Sequence, residues 1–191
     1  MLQAKVPLIT RADYEGMPLG PPYFQVIEGD LITSPSPKFF HQSVALNIAR
    51  IIGNFLDDHP IGEVMIAPLD VFLSDINIFQ PDVLFVSNER LSLIGEQGIE
   101  GGPELVVEIL SPSTAKYDKG SKKKIYSRTG VQELWLIDPD AKTIQVFDLA
   151  ADAETPIATH SAKSVFKSAL LPGLKIDAKK IFREPVRKPR K

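Results

Sequence analysis

The chain has 191 residues, 43% hydrophobic and 24% charged, with a formal net charge of −2. That profile fits one soluble globular domain with a sizeable core. It contains no cysteine, which excludes disulfides and thiolate metal sites and fits a reducing compartment. The start, MLQAKVPLIT, lacks the apolar run of a secretory signal, and no segment is apolar for long enough to cross a bilayer. A cytoplasmic protein with no membrane partner is the expectation.

In chain order, residues 1–22 are rich in Pro and Gly and read as an N-terminal arm. YFQVIEGDLITS reads as two short strands with a turn at Gly29. After the breaker SPSPK, the apolar positions Phe40, Val44, Ile48, Ile52 and Phe55/Leu56 recur every three to four residues. They predict an amphipathic helix over 39–58, closed by DDHP. EVMIAPLDVFLS and FQPDVLFVS read as two strands split by DIN, and LSLIGEQGIEGG as a loop with at most one helical turn. ELVVEILS is a buried strand. Residues 116–128 are polar and suit a helix that stops at Thr129-Gly130. VQELWLIDP and KTIQVFDL are two further strands joined by DPDA, and short strands and a last helix fill the remainder through Phe182. A single domain over 23–182 follows, of class α/β or α+β, with a mixed sheet and a few helices. VVEIL and LWLI are apolar on both faces, so they belong at the centre of a sheet covered on both sides.

Charge is unevenly spread. The segment REPVRKPRK, residues 183–191, holds five basic residues and one acidic, which leaves −6 on residues 1–182. A net acidic body argues against a broad nucleic-acid footprint but allows a local one. The tail is expected to be disordered and solvated, with phosphate contact as the lesser alternative.

Glu108 is out of place in ELVVEILS. In a strand it shares a face with Val106 and Leu110. An unpaired charge there would cost several kcal/mol. Either the carboxyl is protonated, or a protein cation meets it, or it binds a metal at the strand end. A structural ion pair and a functional role carry similar weight on Glu108 alone. In QPDVLFV, Asp82 follows Pro81, which cannot donate to a ladder, so Asp82 belongs near a strand end or edge. Two carboxylates at neighbouring strand ends form a hard-oxygen site suited to Mg²⁺. Asp118, Lys122 and Tyr126 are spaced four apart and stack on one helical face. An Asp–Lys pair at that spacing is ordinarily a solvated surface feature. Here, though, the helix follows the Glu108 strand closely enough to fold a lysine back onto it.

PDV, then GGPELVVEILSPST, then YDKGSKKKIYSRTGVQELWLIDP resembles the Uma-two family of restriction-endonuclease-like proteins, within the PD-(D/E)XK nuclease superfamily. The resemblance covers roughly residues 23–147 and is strongest over 81–139. It implies a restriction-endonuclease-like mixed central sheet flanked by helices. It further implies a Mg²⁺- or Mn²⁺-dependent endonuclease acting on DNA phosphodiesters. Asp82, Glu108 and the carbonyl of Ile109 would be metal ligands. The superfamily lysine normally lies two residues after the Glu, where this chain has Leu110. The resemblance moves that role to Lys122 on the following helix, with Lys123 and Lys124 as alternatives. Glu28 in VIEGDL, or else Asp30, would join the site as a further carboxylate. A homodimer is expected from base rates. An inactive binding or assembly module on the same fold is the alternative function.

Other signals carry less. Tyr126 and Trp135 read as core. His41, His59 and His160 show no metal-ligand spacing; His41 begins a helix and could approach the site, but a cap or surface role is the favoured reading. No GxSxG elbow supports a serine hydrolase.

Overall fold

The structure is a computed structural model that describes residues 7–18, 20–34 and 36–184. Two sheets carry the fold. Strands β1 (Tyr23–Ile27) and β2 (Asp30–Ser34) form a hairpin around Glu28-Gly29. Both turn residues have positive φ, 52° and 84°, as a tight hairpin turn of this kind requires. Gly29 meets that need without strain; Glu28 does not.

Helix α2 (Phe39–Asp58) has the boundaries that its periodicity predicts, and buries Val44, Ala45, Ile48, Ile52 and Leu56. The next segment departs from expectation. EVMIAPLDVFLS is not one strand. Strand β3 (Gly62–Ile66) ends before Ala67-Pro68, and β4 (Asp70–Ser74) begins in the other sheet. Pro68 lacks the N–H needed to continue a ladder, so the chain changes sheet there. Pro81 does the same between β5 (Asn77–Phe79) and β6 (Val83–Ser87). The expected pair of strands is therefore four, split between two sheets. The expected loop carries a 3₁₀ turn (Asn88–Leu93) and a short strand, β7 (Gly98–Glu100), parallel to β4.

Strand β8 (Leu105–Ile109) follows, then helices α3 (Ala115–Lys119) and α4 (Ser121–Arg128). The single expected helix breaks at Gly120, whose ψ of −105° is not helical. Strands β9 (Glu133–Asp138), β10 (Thr143–Asp148) and β11 (Ala158–Ser161) extend the sheet beyond β8. A two-stranded ribbon, β12 (Val165–Phe166) with β13 (Ile176–Asp177), leads into helix α5 (Ala178–Ile181).

The six-stranded sheet runs β11-β10-β9-β8-β6-β3 and the five-stranded sheet β2-β1-β5-β4-β7. Strand β8 is interior, parallel to β9 and antiparallel to β6. Its Leu105, Val107 and Ile109 pack with Trp135, Ile137 and the buried stripe of α2. Val106, on the opposite face, packs with Phe79, Tyr126, Leu134 and Leu136. Both faces are covered, as the unbroken apolar run requires.

Residues 11–15 of the expected N-terminal arm form helix α1 (Arg11–Glu15), started by a Thr10–Asp13 capping box. It docks on the five-stranded sheet. The Tyr14 hydroxyl donates to Asp70 Oδ1 at 2.9 Å, and the Arg11 guanidinium lies 3.9 Å above the Phe72 ring. Of the expected tail, Arg183 and Glu184 are exposed, and residues 185–191 lie outside the described residues.

Candidate active site

Glu108 points from near the end of β8 toward α4, on the Val106 face. It is 4% exposed, so its charge has to be met inside the protein. Two donors reach the same oxygen. Lys122 Nζ lies 2.5 Å from Glu108 Oε1, and the Tyr126 hydroxyl donates to it, also at 2.5 Å. Lys122 further donates to Asp118 Oδ1 at 3.1 Å. The four-residue spacing thus survives the break at Gly120, and all three side chains converge on the strand. The Asp118–Lys122 pair is not the solvated surface feature that this spacing ordinarily makes: both residues are 2% exposed. The five-stranded sheet closes this space, and the Phe79 ring stacks edge-on against Tyr126.

Asp82 sits immediately before β6, where the Pro81 break places it. Its Oδ2 accepts the backbone N–H of Ile109 at 2.7 Å, which ties it to the end of β8. His41, near the start of α2, completes this end of the site. Its Nε2 lies 2.9 Å from the Ile109 carbonyl oxygen and 3.5 Å from Asp82 Oδ2. A carbonyl can only accept, so Nε2 carries the proton and Nδ1 is left as an acceptor. Nδ1 is buried without a hydrogen-bond partner among the described residues. The reading of His41 as a cap or surface residue is therefore corrected. Its place at a helix start allowed an approach to the site but did not show which strand would end against it.

Electrostatics follow from burial. Burial pushes the Glu108 carboxyl up to about 8, although Lys122 pulls it down. Burial likewise pushes Asp82 up to about 7, against the Ile109 N–H and Lys122. Burial works against the Lys122 ammonium too, but Glu108 and Asp118 more than offset it and its pKa rises, so it stays charged. Burial and the neighbouring Glu108 hold the Tyr126 phenol well above its usual range, so it remains a donor. Burial lowers the pKa of His41. Three carboxyl groups and one ammonium thus share this space, and each charge there acts on the others.

Among the described residues, no three His, Asp or Glu side chains are grouped to hold a metal ion. Mg²⁺, however, needs only one or two carboxylates, with carbonyls and waters completing its shell. Asp82, Glu108 and the Ile109 carbonyl supply that hard-oxygen set. The contacts described engage one oxygen of each carboxylate and leave Asp82 Oδ1 and Glu108 Oε2 for a further ligand. An excess of carboxyls over cations, with both pKa values raised, favours a divalent cation. The donor set fits such an ion.

Of the three candidate lysines, Lys122 reaches Glu108. Lys123 turns to Glu154 and the Phe147 ring, and Lys124 is exposed. Glu28 is exposed at the hairpin turn, with its backbone N–H on Asn77 Oδ1, and makes no side-chain contact with the cluster among the described residues. Its neighbour Ile27 packs in the cluster that contains Tyr126 and Phe79. Asp30 is also exposed. Trp135 is fully buried and donates to Glu133, so it is core, as expected.

A family model described as "Putative restriction endonuclease", Uma2, matches residues 11–179. The chain belongs to the Uma2 family. An uncharacterized protein of Synechocystis sp. is 24% identical over 132 residues, which is 68% of this chain and 74% of that protein. A crystal structure titled as a putative nuclease belonging to DUF820, from Anabaena variabilis, superposes with a TM-score of 0.75 at 21% identity. It covers 91% of this chain and 97% of its own. The fold is the restriction-endonuclease-like one, a mixed sheet flanked by helices. Leu110 stands where the wider superfamily has its lysine, and Lys122 brings a cation to the same strand from α4. No described helix is long and apolar enough to cross a membrane.

Proposed function

We propose that this Uma2-family protein is a Mg²⁺- or Mn²⁺-dependent endonuclease that hydrolyses DNA phosphodiester bonds. The observation that carries the reading is the convergence of Lys122 and Tyr126 on Glu108, one residue from the backbone that binds Asp82. Asp82, Glu108 and the Ile109 carbonyl would hold the ion. A divalent ion there neutralises phosphate charge and acidifies water. The chain's own residues do the rest. His41 Nε2–H fixes the orientation of the Ile109 carbonyl, and the Ile109 N–H fixes Asp82. The Tyr126 hydroxyl holds Glu108 in one rotamer. Lys122, kept charged by Asp118, presents an ammonium to the negative charge that develops on the phosphoryl oxygens during in-line attack. Glu28, exposed at the hairpin turn next to Ile27, enters the reading as an outer carboxylate, with Asp30 as its alternative. A homodimer would match the two strands of a duplex.

The same contacts support a second reading. The Glu108–Lys122–Asp118 cluster could be a closed structural network in an inert binding module. Calorimetric titration with Mn²⁺ separates the two. The nuclease reading expects binding that is lost in both Asp82→Ala and Glu108→Gln. Absence of Mn²⁺ binding to the wild type favours the inert module.

A further inference from the structure

The net charge of −2 conceals a strong polarity. Residues 175–191 carry eight basic and two acidic residues, which leaves −8 on the rest of the chain. The described part of that basic segment is folded against α2. Together they line an open groove of about 500 Å³, with Asn47, Arg50 and Asn54 on one wall and Lys175, Lys180 and Arg183 on the other. Asn47, Arg50 and Asn54 share one side of α2, as their three- and four-residue spacing dictates. Across it, Asn47 Nδ2 donates to the Ile181 carbonyl at 3.0 Å and fixes α5 beside α2. All four cations are exposed, and none is in an ion pair among the described residues. The one acidic lining residue, Asp177, has Oδ1 occupied by the Lys179 N–H. Four like charges held around one concavity repel each other, an arrangement without benefit unless an anion occupies it.

We propose that this groove is a docking surface for the phosphodiester backbone of duplex DNA, separate from the carboxylate site. The proposal rests on the reading of a nucleic acid as substrate and adds where that substrate is held. Helix α2 links the two places. His41 lies near its start and Arg50 nine residues on, about 13 Å further along the axis and on the opposite side. Duplex DNA carries one charge per roughly 1.7 Å of axis, so that offset spans about eight phosphates of its two strands. The asparagines add hydrogen-bonding groups suited to phosphate and sugar oxygens, the contacts that position a duplex without reading its sequence. A rod-like polyanion touches a groove locally and keeps clear of the acidic remainder of the surface. A flat anionic membrane would meet that acidic surface as well, and its headgroups would have to enter a recess.

The test measures binding of a short labelled duplex by fluorescence anisotropy across a salt series, without divalent ions. It uses the wild type, Asp82→Ala, and the triple variant Arg50→Ser/Lys175→Ser/Lys180→Ser. These three side chains are exposed, and thermal melting of the variant verifies that it folds. Wild type and Asp82→Ala should bind alike. The triple variant should bind on the order of tenfold or more weakly, with a log–log salt slope shallower by about three. An Arg50→Lys variant should keep wild-type affinity. Unchanged affinity and slope in the triple variant overturn the proposal, as does binding to phosphatidylserine vesicles with none to the duplex. A wild type that binds the duplex in this way but does not cleave DNA with Mg²⁺ or Mn²⁺ would refute the nuclease reading alone and leave the groove assignment standing.

Discussion

Replacing Lys122 with methionine removes the cation from the buried cluster while keeping most of the side chain's volume. At an effective dielectric of about 20, charges 2.5 and 3.1 Å apart attract by roughly 7 and 5 kcal/mol. Desolvation of the ammonium and the carboxylates returns most of that sum. Breaking a buried pair by deleting one partner leaves a net loss of about 3–5 kcal/mol. The loss should depend on pH, and its sign is fixed. Glu108 and Asp82 have folded pKa values near 8 and 7, above their ordinary values. Below about pH 6 both are neutral in the folded protein, and Lys122 faces fewer charges. Above pH 8 both are ionised, and its removal strands them. Lys122→Met should therefore cost about 3–5 kcal/mol at pH 9 and clearly less at pH 5.5. Urea unfolding, followed through the fluorescence of the buried single tryptophan Trp135, measures both values. An equal loss at the two pH values, or one under about 1 kcal/mol at pH 9, would refute this account of the cluster.

Three further outcomes follow from named contacts. The unliganded wild type should lose stability as pH rises from about 4.5 through 8, because the raised carboxyls bind protons in the folded state that the unfolded chain has released; denaturation at pH 5.5 and 9 checks it, and a stability that rises instead contradicts it. Tyr126→Phe removes a donor from a buried carboxylate and should cost about 1–3 kcal/mol in the same urea assay, with no change in secondary structure by circular dichroism. Gly102→Ala should cost about 1–3 kcal/mol, because its Cβ would lie 2.9 Å from the backbone nitrogen of Val131 and closer still to the Thr129 carbonyl, neither of which can step aside. A neutral result there would mean that the approach to β8 is looser than described.

Much of this fold was legible in the sequence. The apolar stripe from Val44 to Leu56 marks α2 from end to end, because a helix at a sheet surface buries one side only. VVEIL marks β8 because an interior strand is apolar on both faces. The changes of sheet at Pro68 and Pro81 were less legible. A proline says that a ladder stops, not which sheet the chain joins next. The burial of Asp118 and the partner of His41 were not legible for a related reason. Periodicity shows that Asp118, Lys122 and Tyr126 share a face, but whether water or a strand covers that face depends on tertiary packing. His41 meets Ile109, 68 positions away, and nothing local to either residue announces the contact. The Glu108 anomaly was readable because a carboxylate in an apolar strand always needs a partner. The partner, Lys122, followed from that need together with the family resemblance. The Thr10–Asp13 capping box was also present in TRAD, where it could have announced α1 within the expected arm.

The most direct test of the central claim is cleavage of supercoiled plasmid with Mg²⁺ or Mn²⁺ by the wild type, Asp82→Ala and Lys122→Met. The account predicts nicked and linear products from the wild type that require the ion, with activity lower by a factor of 100 or more in both variants, on the order of a lost electrostatic stabiliser. Equal traces of nicking in all three proteins, or wild-type cleavage that persists in chelator, would contradict it.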